Sequence, residues 1–104
     1  MTERFSEPEP NVIESSAGFS VRVLGLTGMR YTEGDRSVYM DSEVLAKPGP
    51  GAIALFKDRM RPWGSPPGSA RLSEDESDRI ANNVKRAFEA CGYELQVQPD
   101  RDWR

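Results

Sequence analysis

Three carboxylates on predicted strands are the residues of this chain whose types and spacing could do chemistry. Asp41 and Glu43 lie two residues apart, so an unbroken strand turns both side chains to the same face. Glu14 ends an earlier predicted strand. Carboxylates that meet in a pocket can bind a cation or act as general acid and base. The alternative, which we favour, is a solvated outer face, because acidic side chains mostly remain exposed to water.

A second group of residues is basic and aromatic. Residues 57–71 contain Arg59, Arg61 and one tryptophan, Trp63, against a single acid, Asp58. A basic patch with an aromatic ring is typical of nucleic-acid binding, and Trp and Arg are also enriched at the centres of protein interfaces. The structural alternative is a tryptophan that plugs the end of a sheet. The net charge of −3 argues against general affinity for phosphate backbones, so nucleic acid is the less favoured partner.

The chain contains no histidine and a single cysteine, Cys91. Without imidazole, Ser-His and Cys-His nucleophile pairs and histidine metal sites are excluded. Cys91 falls on the apolar stripe of a predicted helix and has no second cysteine to pair with, so we interpret it as a core residue. We therefore expect no enzymatic activity, no metal and no cofactor.

The composition indicates one small domain without a membrane-spanning segment. Hydrophobic residues make up 37% and charged residues 30% of the 104 residues, and no apolar run is long enough to cross a bilayer. Residues 1–10 are acidic and contain two prolines, which predicts a disordered tail; residues 11–98 predict a single α+β domain and residues 99–104 a polar tail. The N-terminus has no apolar signal segment, so we expect a cytoplasmic protein that does not bind membranes.

Short strands come first along the chain. Alternation of apolar and polar residues predicts strands over residues 11–15 and 19–23. Two β-prone runs with a short glycine-containing turn between them predict a hairpin over residues 29–45. Residues 52–56 form an apolar run of strand length, and residues 57–72 predict a loop rich in proline and glycine.

The last third of the chain predicts a helix followed at once by a strand. Ser73 and Glu76 form a capping box, apolar residues recur at helical spacing as far as Cys91, and Gly92 ends the helix. Alternation over residues 93–98 then predicts a final strand. A run of strands before a helix is typical of α+β proteins. We expect an antiparallel sheet of about five to six short strands, with one long helix on one face and a final strand after it.

Five features along residues 12–98 together resemble a known family. They are a Tyr-x-Glu-Gly hairpin at residues 31–34, a strand ending at Glu43, a loop with Trp63, a Leu-Ser-x-x-Glu helix start at residues 72–76 and a β-rich end at residues 92–97. Their order resembles the immunity protein 74 family of bacterial polymorphic toxin systems. The resemblance implies a small intracellular protein without enzymatic activity that binds and neutralises a cognate toxin. Glu43 and Trp63 match the family's recurring residues.

These observations favour a non-catalytic binding protein whose partner is a cognate protein toxin. Acidic side chains of the hairpin would steer a basic partner, and exposed aromatic rings would anchor it. The residues expected to bind the partner are Glu33, Asp35, Asp41, Glu43, Arg59, Arg61 and Trp63. A second hypothesis is a homo-oligomeric structural or adaptor module, for example a homodimer formed through an edge strand or the Trp63 loop. A third is a hydrolase or metal enzyme built on Glu14, Asp41 and Glu43.

Overall fold

The computed structural model describes residues 3–25, 27–45, 52–64 and 72–98. These ranges contain eight strands, one α-helix and one 3₁₀ turn. The strands are β1 (Phe5–Glu9), β2 (Val12–Ser15), β3 (Phe19–Val23), β4 (Gly28–Glu33), β5 (Arg36–Leu45), β6 (Ala52–Phe56), β7 (Arg61–Pro62) and β8 (Glu94–Gln98). The helix α1 spans Glu74–Ala90 and the 3₁₀ turn spans Lys57–Arg59. The predicted α+β order, with the helix and a final strand after a run of strands, is confirmed.

One curled sheet joins the described strands in the order β1-β2-β3-β4-β5-β6-β8, with β7 added beside β5. The pairs from β1 to β6 are antiparallel, but β8 runs parallel to β6. The helix between them carries the chain back to the end of the sheet where β6 began, and this connection produces a parallel pair. The expectation of a wholly antiparallel sheet of five to six strands is therefore wrong in strand number and in the direction of β8.

The long strand β5 carries two short strands in succession along one edge. Ser42 pairs with Leu55 of β6, and Tyr39 pairs with Arg61 of β7. Ser42 and Tyr39 are three positions apart along β5, whereas their partners Leu55 and Arg61 are six positions apart. The chain between β6 and β7 therefore contains three extra residues, which the 3₁₀ turn accommodates before the chain returns to β5. Part of the predicted loop over residues 57–72 is therefore ordered structure, and residues 65–71 lie outside the described ranges.

Helix α1 begins and ends where the sequence predicts. The Ser73 side chain accepts a hydrogen bond from the backbone N–H of Glu76, and Gly92 follows the helix with a φ of +86°. Glycine adopts this left-handed conformation without a steric penalty at Cβ. In the described part of the chain, no helix is long and apolar enough to cross a membrane.

The core lies between α1 and one face of the sheet, which we call the inner face; the opposite side is the outer face. Met29, Val38 and Met40 point inward from β4 and β5 and are buried. From α1, Ile80 and Val84 meet them in the same cluster. Burying a side chain of this size stabilises the fold by roughly 1.5–3 kcal/mol. Alternation along β4 and β5 then turns every second residue to the outer face.

The N-terminal segment differs from the predicted disordered tail over residues 1–10. Phe5–Glu9 forms β1, which pairs with β2 at the edge of the sheet. The Phe5 ring packs edge-on against Phe19, with ring centres 6.3 Å apart, and Glu3 forms an ion pair with Arg86 of α1. These contacts outweigh the polar composition of the segment, and an edge strand tolerates proline. The predicted polar tail over residues 99–104 lies outside the described residues.

Candidate functional site

The outer face carries two aromatic side chains that are each covered by an arginine. The guanidinium carbon of Arg30 lies 4.6 Å from the ring centre of Trp63, and that of Arg61 lies 4.2 Å from the ring centre of Tyr39. The two rings are themselves 6.3 Å apart. These distances are within the range of cation–π contacts. We call these four residues the aromatic–arginine cluster.

Backbone pairing places the cluster. Arg30 of β4 lies opposite Tyr39 of β5, and Tyr39 lies opposite Arg61 of β7, so the three side chains form a row across three strands. Trp63 follows Arg61 by two residues, and its backbone N–H donates to the Ser37 carbonyl oxygen at 3.0 Å. Because the 3₁₀ turn returns the chain to β5, the cluster rests on the sheet and not on a free loop.

Gly28 provides the space beneath the Tyr39 ring. A Cβ atom on Gly28 would lie 2.7 Å from the Tyr39 hydroxyl oxygen and 3.1 Å from two ring carbons. The Tyr39 hydroxyl donates to the Thr27 carbonyl oxygen at 3.5 Å. A larger residue at position 28 would therefore displace the ring that supports Arg61.

The cluster arginines differ from those that join the sheet to the helix. Among the described residues, Arg30 and Arg61 form no ion pair, whereas Arg79 donates to Glu33 at 2.8 Å and Arg36 pairs with Glu76. A terminal nitrogen of Arg30 donates to the Ser37 hydroxyl at 3.3 Å, while its buried Nε has no partner among the described groups. Trp63 is 42% exposed, which is high for the largest apolar side chain. The cluster therefore offers cationic edges and an apolar ring to a ligand.

Glu33 belongs to an inner network that joins the hairpin to α1. It accepts hydrogen bonds from Arg79 at 2.8 Å and from the Tyr31 hydroxyl at 2.5 Å, and these two bonds hold the pKa of Glu33 below its usual value. Burial, with the hydrogen bond to Glu33, raises the pKa of Tyr31 to about 12. Asn83 of α1 donates to the same hydroxyl at 3.0 Å. This network joins the hairpin to the helix through Glu33 and Tyr31.

The four acidic residues expected to form one partner-binding surface do not lie together. Glu33 faces inward, whereas Asp41 and Glu43 lie at outward positions of β5, opposite Gly28 and Ala54 respectively. Asp35 is exposed in the hairpin turn. Because side chains alternate along β4 and β5, Glu33 lies on the inner side of the sheet, whereas Asp41 and Glu43 lie on the outer side.

The remaining predicted residues divide between the cluster and its neighbourhood. Arg61 and Trp63 are members of the cluster, and Asp41 shares the outer face with them. Arg59 lies in the 3₁₀ turn. Arg30 and Tyr39 were missed by the sequence reasoning, although strict alternation in β4 and β5 predicts that both point outward, away from Met29 and Met40.

The carboxylates of the hydrolase hypothesis are not brought together. Glu14 pairs with Ser20 of β3, and three strand spacings, about 14 Å, separate β2 from β5. No group of three or more acidic or cysteine side chains in the described ranges could hold a metal ion. Burial and a hydrogen bond with Glu7 raise the pKa of Cys91, so this thiol stays protonated and poorly nucleophilic at neutral pH.

No protein-family model, curated protein or solved structure matches this chain.

Proposed function

We propose that this chain is a non-catalytic binding protein that holds a protein partner against the aromatic–arginine cluster. The observation that carries the proposal is the pair of arginine–aromatic stacks on an open sheet face, without carboxylate partners in the described part of the chain. A stacked guanidinium keeps its N–H edge available for a carboxylate, and stacking orients that edge before binding.

The chemistry of the cluster fits a partner surface that offers carboxylates around an apolar pocket. Trp63 would fill the pocket, and Arg30 and Arg61 would bind the carboxylates, which is the usual combination of residues at interface centres. This replaces the basic partner expected from the acidic hairpin. A nucleic acid is disfavoured, because the chain carries a net charge of −3 and Asp41 and Glu14 occupy the same outer face.

The specific form we propose is an immunity protein that neutralises a cognate bacterial toxin. The support is the order of sequence features that resembles the immunity protein 74 family, together with Trp63, which belongs both to that pattern and to the cluster. An anchor of this kind suits an inhibitor that must stay bound, because loss of a central aromatic residue mainly accelerates dissociation.

The test is to look for a toxin-like reading frame beside this gene and to co-express its product with the chain, scored by growth rescue and by isolation of a complex. Trp63→Ala and Arg61→Ala should each weaken the complex by more than about tenfold and reduce rescue. The matched controls are Leu24→Ala, an apolar residue that is 40% exposed, and Arg22→Ala, which removes an outer-face arginine already paired with Glu9. Both controls should keep rescue. Absence of rescue and complex with the wild-type chain would overturn the toxin assignment.

The homo-oligomeric module is the alternative, and β8 is the observation that favours it. This strand lies at the end of the described sheet, where a second copy could extend the sheet by strand addition. Light scattering over a concentration series discriminates between the two functions. A monomer at every concentration would remove the module, whereas a dimer that survives Trp63→Ala would show that self-association uses another surface.

A further inference from the structure

The inner side of the sheet contains a cavity that the proposed function does not use. It has a volume of about 410 Å³ and lies between β2–β3, β6 and the C-terminal end of α1. Its walls are mostly apolar; they include Ile13, Val21, Val23, Ile53 and Phe88. A cavity of this size and lining is typical of small-molecule sites. Two of the exposed apolar side chains, Val44 and Tyr93, also line it.

One acidic side chain enters this apolar lining. Glu7 lies on β1 at a bulge, since the register with β2 shifts by one residue between Ser6 and Glu9. A bulge redirects side chains at the edge of a sheet. Glu7 is exposed to solvent and forms part of the cavity lining, close to Cys91 beyond the end of α1. The cavity therefore has an anionic group at one end and apolar walls elsewhere.

The end of helix α1 adds to this negative potential. A helix carries partial negative charge at its C-terminus, and α1 has no basic residue in its last turn. The described residues that line the cavity include no lysine or arginine to balance Glu7. A fatty acid or other apolar anion would place its carboxylate against Glu7 and is disfavoured.

We infer that this cavity binds a small apolar molecule with a positively charged head group, such as an alkylammonium. The chain of the ligand would lie against Val23, Ile53 and Phe88, and its ammonium would donate hydrogen bonds to the Glu7 carboxylate. The inference is independent of the partner-binding function, because the cavity lies on the inner side of the sheet and the aromatic–arginine cluster on the outer side.

The experiment compares three probes of equal chain length by calorimetric titration of the full chain: octylammonium, octanol and octanoate. Octylammonium should bind one to one, and at least about tenfold more tightly than octanoate, since one charge-assisted hydrogen bond accounts for a factor of this size. Glu7→Gln should weaken octylammonium by about tenfold and leave octanol unchanged. Glu14→Gln, which makes the same change in net charge from an exposed outer-face acid, should leave all three probes unchanged.

A second variant tests the position of the site. Val23→Trp adds a large side chain to a half-buried cavity wall and should abolish binding of octylammonium and octanol, with circular dichroism showing that the fold is retained. If this variant unfolds, the Glu7→Gln and Glu14→Gln pair still decides the outcome. The inference is overturned if none of the probes binds, if octanoate binds as well as octylammonium, or if both glutamate variants weaken octylammonium equally.

Discussion

The inner and outer faces of this sheet use arginine in opposite ways. On the inner side, Arg36 and Arg79 meet Glu76 and Glu33, and these ion pairs join the hairpin to α1. On the outer side, Arg30 and Arg61 lie over Trp63 and Tyr39. A paired arginine has its carboxylate-binding edge committed to the fold, whereas Arg61, and Arg30 apart from its bond to Ser37 and its buried Nε, keep N–H groups that a ligand can use. We therefore expect the inner face to contribute most of the stability, and the proposed function assigns partner binding to the outer face.

The largest effect on the free energy of unfolding is expected when one buried side chain on the inner side and one aromatic side chain on the outer side are each replaced by alanine. Met40→Ala removes a fully buried inner side chain and should lower the free energy of unfolding by about 2–5 kcal/mol. Trp63→Ala removes a larger side chain, yet it should cost at least about 1 kcal/mol less than Met40→Ala, because 42% of that residue already lies in water. Urea denaturation of both variants measures the difference.

The comparison between the faces fails if the two substitutions destabilise the chain equally. A large loss for Trp63→Ala would mean that the tryptophan plugs the end of the sheet, the structural alternative raised by the sequence. A small loss for Met40→Ala would mean that the inner side is not the packed core.

Much of this organisation could be predicted from the sequence. The described strands over residues 12–15, 19–23 and 52–56 and helix α1 were predicted because local alternation and capping determine them. β1 was missed, because its stability depends on long-range contacts of Phe5 with Phe19. The parallel pairing of β8 was also missed, since sequence order does not reveal which strand a final segment joins.

The candidate site was predicted only in part, for a physical reason. Arg61 and Trp63 were identified from their types, but their partners Arg30 and Tyr39 come from other strands, and only strand pairing brings them together. The contacts of Glu33 with Tyr31 and Arg79 were missed, because composition does not show which side of a strand faces the helix. Alternation from Met29 and Tyr31 predicts that position 33 is inward.

A substitution at Gly28, which leaves space for the Tyr39 ring of the aromatic–arginine cluster, should have an effect of intermediate size on stability. Gly28→Ala places a methyl group 2.7 Å from the Tyr39 hydroxyl, so the ring must move from beneath Arg61. We expect a loss of about 1 kcal/mol in the free energy of unfolding and a change in the near-ultraviolet circular dichroism of the aromatic rings. Thr32→Ala is the matched control, since it lies on the same strand and face without supporting the ring. An unchanged aromatic spectrum for Gly28→Ala would contradict the role of Gly28.

The smallest expected effect is the contribution of the Arg79–Glu33 ion pair to the pH dependence of the free energy of unfolding. Bonds from Arg79 and Tyr31 hold the pKa of Glu33 in the folded chain below its ordinary value of 4.5. A carboxyl group with a lowered folded pKa contributes stability above its unfolded pKa, and this contribution is lost as pH falls through the folded pKa. Because the Glu33 side chain is 42% exposed, solvent screening limits the contribution to about 0.2–1 kcal/mol. The wild-type chain should therefore lose this amount of stability below pH 4.5.

Glu33→Gln should lose less stability than the wild type over the same acidic range, when the free energy of unfolding is measured by urea denaturation at a series of pH values. Glu14 is exposed and forms no ion pair among the described residues. The control variant Glu14→Gln should therefore lose as much stability with falling pH as the wild type. Tyr31→Phe removes one of the two donors to Glu33, so its acidic loss should lie between those of the wild type and Glu33→Gln. If Glu33→Gln and the wild type lose stability equally, the Arg79–Glu33 pair does not join the hairpin to α1. The contrast between paired and stacked arginines would then describe geometry alone and not a division of roles.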